Sequence, residues 1–129
     1  IRLAEYRRLL DSSAWLEYFL LGEPRMAKII NKDDCTLFSS AVSIHEVKKR
    51  LLLEKEKSKT ISESLDFMKA NSIIVDVSES ILEKSAEDSA RLGLSLADSV
   101  IYRSALEINS EIVTFDRHFS GKKGAVVLK

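Results

Sequence analysis

The side chains best suited to chemistry in this sequence are four carboxylates, each set in a short apolar or hydroxyl-rich run. Asp11 lies in Leu9-Leu10-Asp11-Ser12-Ser13 and Glu46 in Ser43-Ile44-His45-Glu46-Val47. Asp98 lies in Leu94-Ser95-Leu96-Ala97-Asp98, and Asp116 in Thr114-Phe115-Asp116-Arg117-His118-Phe119. Singly, each has a local explanation. Ser43 to Glu46 and Ser95 to Asp98 have the serine-x-x-acid spacing that closes a helix N-terminus. Glu46 can also pair with Arg50 one turn on, Asp11 can cap a helix, and Asp116 can start a turn. Together they ask for more. An anionic cap gains roughly 0.3–1 kcal/mol, whereas two carboxylates about 4 Å apart repel by about 4 kcal/mol at an effective dielectric near 20. If the four meet, either some are protonated or a cation sits among them. An all-oxygen donor set suits Mg²⁺ or Mn²⁺, with water filling the remaining positions.

The elements that would bring them together are readable in outline. Strands are expected over residues 6–11, 35–39, 72–77, 111–114 and 125–128, each short and the first carrying Arg7 and Arg8. Ser12 or Ser13 should cap a helix through Trp15 and Leu20 that Gly22 ends, and Pro24 suits the first turn of the next. Ser43 should open a long helix carrying Ile44, Val47 and Leu51, with another over 61–70. Ser78 should cap a helix to about Leu92, stopped by Gly93, and Ser95 the one after it. Short strands of buried type alternating with helices predict a three-layer α/β/α sandwich around a parallel sheet of four to five strands. Ligands of such sheets bind outside the carboxyl ends of the strands. Asp11 ends the first strand, Glu46 and Asp98 fall in first helical turns, and Asp116 lies two residues past the fourth strand. All four should therefore face one edge.

Composition narrows the class. The chain has 129 residues, 45% hydrophobic and 31% charged, with four Gly and one Pro, which describes one globular domain over residues 1–129 and no disordered or collagen-like segment. No apolar run is long enough to span a membrane. The lone Cys35 can form no internal disulfide and reads as a small core residue, which points to a reducing, cytoplasmic setting. Lys+Arg and Asp+Glu are 20 each, so net charge gives no support for nucleic-acid binding. The bases do cluster, at Lys48-Lys49-Arg50, at Lys55, Lys57 and Lys59, and at Arg117, His118, Lys122 and Lys123, a pattern that solvated helix faces and a polar tail explain more simply.

At the four acids the sequence resembles a PIN domain, the nuclease fold of VapC-type toxins in toxin–antitoxin pairs. Leu9-Leu10-Asp11-Ser12-Ser13-Ala14-Trp15 is similar to the family's opening L-D-[TS]-[NS] segment. Ser43-Ile44-His45-Glu46-Val47 resembles S/T-x-x-E-V, Leu94 to Asp98 resembles L-x-x-x-D, and Thr114 to Phe119 resembles T-x-D-x-D-F. The four occur in order along nearly the whole chain. One position departs: His118 stands where many relatives carry a second aspartate, which puts a second metal ion in doubt, because imidazole does not replace a hard anionic oxygen.

The resemblance implies metal-dependent cleavage of RNA phosphodiester bonds with Mg²⁺ or Mn²⁺. It makes Asp11, Asp98 and Asp116 the metal ligands, direct or through water, and Glu46 the fourth acid, able to polarise the attacking water. Ser12, Thr114 and His118 support the acids, Thr114 by orienting Asp116. Lys49 and Arg50, with Arg117, would hold the RNA backbone. It also implies a homodimer and a VapB-like antitoxin lying along an apolar groove. For that groove the sequence offers Trp15 to Leu21, apolar around most of its helix, and Leu51-Leu52-Leu53, which cannot all share one face; packing into the core is the competing explanation. His45, adjacent to Glu46, is expected on a different side of its helix and lacks the spacing of a zinc motif. P-loop, dinucleotide and serine-hydrolase signatures are absent. Two other readings share the architecture. One is a phospho-receiver domain, disfavoured because two serines follow Asp11 and Asp76 is expected inside its strand. The other is a degenerate PIN-like domain that only binds protein or RNA.

Overall fold

Adjacent apolar pairs at the centre of three strands build the molecule: Leu9-Leu10, Leu37-Phe38 and Ile112-Val113, all under a tenth exposed. Because side chains alternate across a strand, each pair sends one residue to each face of a sheet. Leu10, Leu37 and Val113 join one core with Trp15, Met26 and Val47. Leu9, Phe38 and Ile112 join a second with Ile101, Tyr102 and Phe119. The strands thus separate two cores, as the three-layer expectation requires.

The structure is a computed structural model describing residues 6–32 and 34–129. Its elements run β1 (Tyr6–Leu10), α1 (Ser12–Leu21), α2 (Pro24–Ile30), β2 (Cys35–Ser40), α3 (Ala41–Leu53), α4 (Ser58–Asn71) and β3 (Ile73–Val75). There follow α5 (Glu79–Leu92), α6 (Leu96–Glu107), β4 (Glu111–Thr114), a 3₁₀ turn (Arg117–Phe119) and β5 (Ala125–Val127). The five strands form one parallel sheet in the order β3-β2-β1-β4-β5. In register, Leu9 lies between Phe38 of β2 and Ile112 of β4. From β1 the chain builds outward to β2 and β3, then crosses back through α5 and α6 to β4 on the other side. The order therefore reverses between β1 and β4, the kind of crevice in which open parallel sheets bind ligands. A phospho-receiver sheet has the order 2-1-3-4-5, so this topology is a different one.

Several expected boundaries move. Helix α3 begins at Ala41 and is capped by Ser40, whose Oγ accepts from the Val42 amide at 3.2 Å, so Ser43 is not its cap. Strand β2 runs straight into this helix, and with Ser39, Ser40 and Ser43 in a row the sequence pattern could not choose among them. Glu46 consequently lies in the second turn, not the first. Helix α4 starts three residues before Ile61, and its N-cap Lys57 makes no side-chain cap bond, so no capping residue marks that start in the sequence. Strand β3 is shorter than 72–77, and Asp76 lies just past it on the sheet edge. The Gly22 and Gly93 stops and the Ser78 and Ser95 caps fall as expected, both glycines adopting the left-handed conformation.

Candidate active site

At the β1–β4 crevice two hydroxyls tie the strand ends together. Thr114, fully buried at the end of β4, donates through Oγ1 to Asp11 Oδ2 at 2.5 Å and accepts from the Asp116 amide at 2.8 Å. Ser13, in the first turn of α1, donates to Asp11 Oδ1 at 2.7 Å and accepts from the Phe115 amide at 2.8 Å. Asp11 itself caps α1, accepting from the Ala14 amide at 2.9 Å. A carboxylate has about four acceptor sites; Asp11 gives two on Oδ1 and one on Oδ2 to these donors, leaving an Oδ2 lone pair free.

The other three acids arrive from separate elements. Asp98 sits in the first turn of α6, its amide held by Ser95 Oγ at 3.2 Å. Asp116 caps the 3₁₀ turn, accepting from the His118 amide at 2.9 Å. Glu46 Oε1 accepts from Ser12 Oγ at 2.5 Å, which links α3 to α1. All four line one cleft of about 900 Å³.

The electrostatics are those of acids held against their preference. Burial pushes the Asp11 carboxyl up from 3.8 to about 6; the Thr114, Ser13 and Ala14 hydrogen bonds oppose the rise and the Asp116 charge adds to it. Asp98 is also raised, first by burial, then by Asp116 and Glu46. Each raised acid is relieved by losing charge to a proton or by gaining a cation. The donors are hard oxygens, a set that fits Mg²⁺ or Mn²⁺. Among the described residues, the tightest group of possible ligand atoms is Asp98, Asp116 and His118, one atom from each within 4.8 Å of the others. Asp11 shares the cleft but stands outside that group, so of the expected trio only Asp98 and Asp116 come within ligand distance of one another, and the third member of the group is His118.

Of the remaining expected residues, Ser12, Lys49 and Arg50 line the cleft, with Arg50 Nε 2.9 Å from Glu54 at the surface. Lys48 lines a separate groove between α3 and α4. Arg117 is exposed beside Asp116, off the cleft wall. His45 lines the cleft as well as Glu46. Neighbouring helix positions diverge by only about 100°, and a cleft this wide reaches both. Trp15 follows the core-packing explanation and not the groove, since it is fully buried and donates from Nε1 to Ser39 Oγ at 2.8 Å. The bridging role of Ser13 was not legible, because nothing in its local sequence announces a partner 102 residues away.

The family model described as PIN domain matches residues 8–124. Among solved structures, a toxin–antitoxin complex from Klebsiella pneumoniae is 19% identical, covers 93% of this chain and 96% of its own, and superposes with a TM-score of 0.78. VapBC2 from Rickettsia felis, bound to a DNA fragment from its promoter, is 16% identical over 95% of this chain and 97% of its own, TM-score 0.75. VapC20 from Mycobacterium tuberculosis, a toxin that cleaves the sarcin-ricin loop, is 13% identical over 89% and 91%, TM-score 0.70. A search of curated proteins finds no match.

Proposed function

The chain belongs to the PIN-domain family, and we propose that it is a divalent-metal-dependent endoribonuclease, the toxin of a VapBC-type toxin–antitoxin pair. The observation that carries this reading is the convergence of Asp11, Glu46, Asp98 and Asp116 from four elements on one cleft, with burial and mutual repulsion raising Asp11 and Asp98.

A bound Mg²⁺ or Mn²⁺ supplies an activated water and neutralises charge that builds on the phosphate. Asp98 and Asp116 would hold the ion, with Asp11 contributing directly or through water. Thr114 keeps Asp11 and Asp116 at a fixed spacing. Glu46, anchored by Ser12, faces the same space and can take a proton from the attacking water. Lys49 and Arg50 on the cleft wall, and Arg117 beside it, pair with RNA phosphates. The partners are RNA, a second copy of the chain and an antitoxin, and the setting is the cytoplasm. Toxin–antitoxin complexes among the similar folds support the partner reading. Among the described residues no helix is long and apolar enough to cross a membrane. A purely binding domain is the reading His118 favours, but four carboxylates remain in the cleft.

The test is cleavage of a structured RNA pool by partner-free protein in Mg²⁺, in Mn²⁺ and in chelator. Metal-dependent cleavage is expected, and Asp98→Asn should lower it by ~10²-fold or more, the scale of losing one electrostatic contact to the transition state, with the domain still folded. Cleavage that persists in chelator or in a clean Asp98→Asn preparation would overturn the assignment.

A further inference from the structure

His118 is placed by the chain with some care for a residue 79% exposed. Its amide is held by Asp116 Oδ1, and the next residue, Phe119, is fully buried in the α6-side core, so the base of the side chain is fixed. From there Nδ1 reaches 3.1 Å from Asp116 Oδ1 and 3.9 Å from Asp98 Oδ2. We propose that His118 is a nitrogen ligand of this centre, completing a set with Asp98 and Asp116, and that it makes the site select a first-row transition ion such as Mn²⁺ over Mg²⁺. This rests on the cleft being a metal centre, and it specifies which ion that centre takes.

The spacing suits shared coordination. Around an octahedral ion with bonds of about 2.1 Å, neighbouring ligand atoms lie about 3.0 Å apart and opposite ones about 4.2 Å. The 3.1 Å separation corresponds to neighbours, and 3.9 Å closes to a neighbouring position with a small turn of the exposed ring. Chemistry supplies the direction of the preference. Mg²⁺ binds hard oxygens and gives up water reluctantly, whereas imidazole nitrogen is a favourable donor to transition ions, in the order Mn²⁺ < Fe²⁺ < Co²⁺ < Ni²⁺. Exchanging an oxygen ligand for Nδ1 therefore weakens Mg²⁺ binding more than Mn²⁺ binding. The alternative is a protonated His118 paired with Asp116, occupying the place of the cation. The two differ in sign: deleting a ligand lowers metal affinity, while deleting a competing positive charge raises it.

Calorimetric titration of metal-stripped protein with Mn²⁺ and with Mg²⁺ tests this without any RNA, using the wild type, His118→Ala, His118→Asp and Asp98→Asn. The wild type should favour Mn²⁺, and the Mn²⁺/Mg²⁺ affinity ratio should fall at least tenfold in His118→Ala and His118→Asp, the aspartate recovering Mg²⁺ binding. The chain has two histidines, so in ¹⁵N-histidine spectra the His118 ring, assigned with His118→Ala, should shift at Nδ1 on saturation with diamagnetic Zn²⁺. An unchanged ratio, tighter binding of both ions by His118→Ala, or an unmoved ring in Zn²⁺-saturated protein would overturn the inference. If Asp98→Asn loses metal in those cases, the metal-centre reading survives. If the wild type binds no divalent ion, both fall.

Discussion

Asp11 sets the sign of the pH dependence. Its carboxyl is raised in the fold to about 6, chiefly by burial, so the folded state penalises the charged form. The stabilising contribution is complete below about pH 4 and is lost as pH rises through about 6. Asp98 is raised for the same leading reason and acts in the same direction. Asp88 does the reverse: Arg103, and then Arg91, hold its carboxyl below the ordinary value, so its contribution is lost only as pH falls below about 4. Metal-free protein should therefore be less stable at pH 7 than at pH 4.5, by about 2 kcal/mol from Asp11, the larger part of what a shift of about two units is worth over the whole range. Urea midpoints in chelator check this, and Asp11→Asn or saturating Mn²⁺ should flatten the profile. A flat wild-type profile would contradict the burial argument. Which residues are acidic and where they stand was legible, because each sits in a local pattern. That Thr114 and Ser13 fasten them was not, because hydrogen bonds across more than 100 residues leave no local trace.

At the scale of elements, helix ends separate two accounts of the same serines. Ser40 caps α3, while Ser43, one turn in, is fully buried and, among the described residues, has an Oγ without a hydrogen-bond partner. Ser40→Ala should cost ~1 kcal/mol, and Ser43→Ala should be neutral or stabilising, since it removes an unpaired polar atom from the interior. Equilibrium unfolding of both variants decides it; the opposite ranking would restore the cap expected from the serine-x-x-acid spacing. The pairing of α5 with α6 makes a second prediction. Asp88 is 1% exposed and takes both oxygens' bonds from Arg103, Nε and Nη2 each at 2.8 Å. Arg103→Met should destabilise by ~1.5–3 kcal/mol, because it removes two charge-assisted bonds from a buried carboxylate that Arg91 still pairs, and Asp88→Asn in the same chain should restore part of the loss. Neither serine nor this pair was legible. A cap is chosen by where the preceding strand stops, and the period of α5 shows that Asp88 faces inward without showing what meets it.

The whole molecule is governed by the reversal of strand order between β1 and β4. Parallel strands alternating with helices were legible from short apolar runs; the order was not, since nothing local tells β4 to pair with β1 in preference to β3. That one choice converts four acids spread over 106 positions, Asp11 to Asp116, into a single cleft. Burial separates the apolar residues that belong to the core from those left exposed. Trp15, stacked on Phe19 and edge-on to Phe67, belongs to the core. Leu51 is buried beside it, whereas Leu52 is 56% exposed on the α3–α4 groove with Ile61 and Leu65. A charged residue at position 15 would therefore report on folding, and of these two positions it is 52 that can report on partners. Trp15→Ala should cost ~3–5 kcal/mol. Leu52→Glu should leave the unfolding midpoint within ~0.5 kcal/mol of wild type while reducing self-association or antitoxin capture, read as mass in solution at several concentrations with and without the antitoxin. If Leu52→Glu alters neither mass, α3 and α4 do not form the assembly face, and the partners must meet the chain elsewhere.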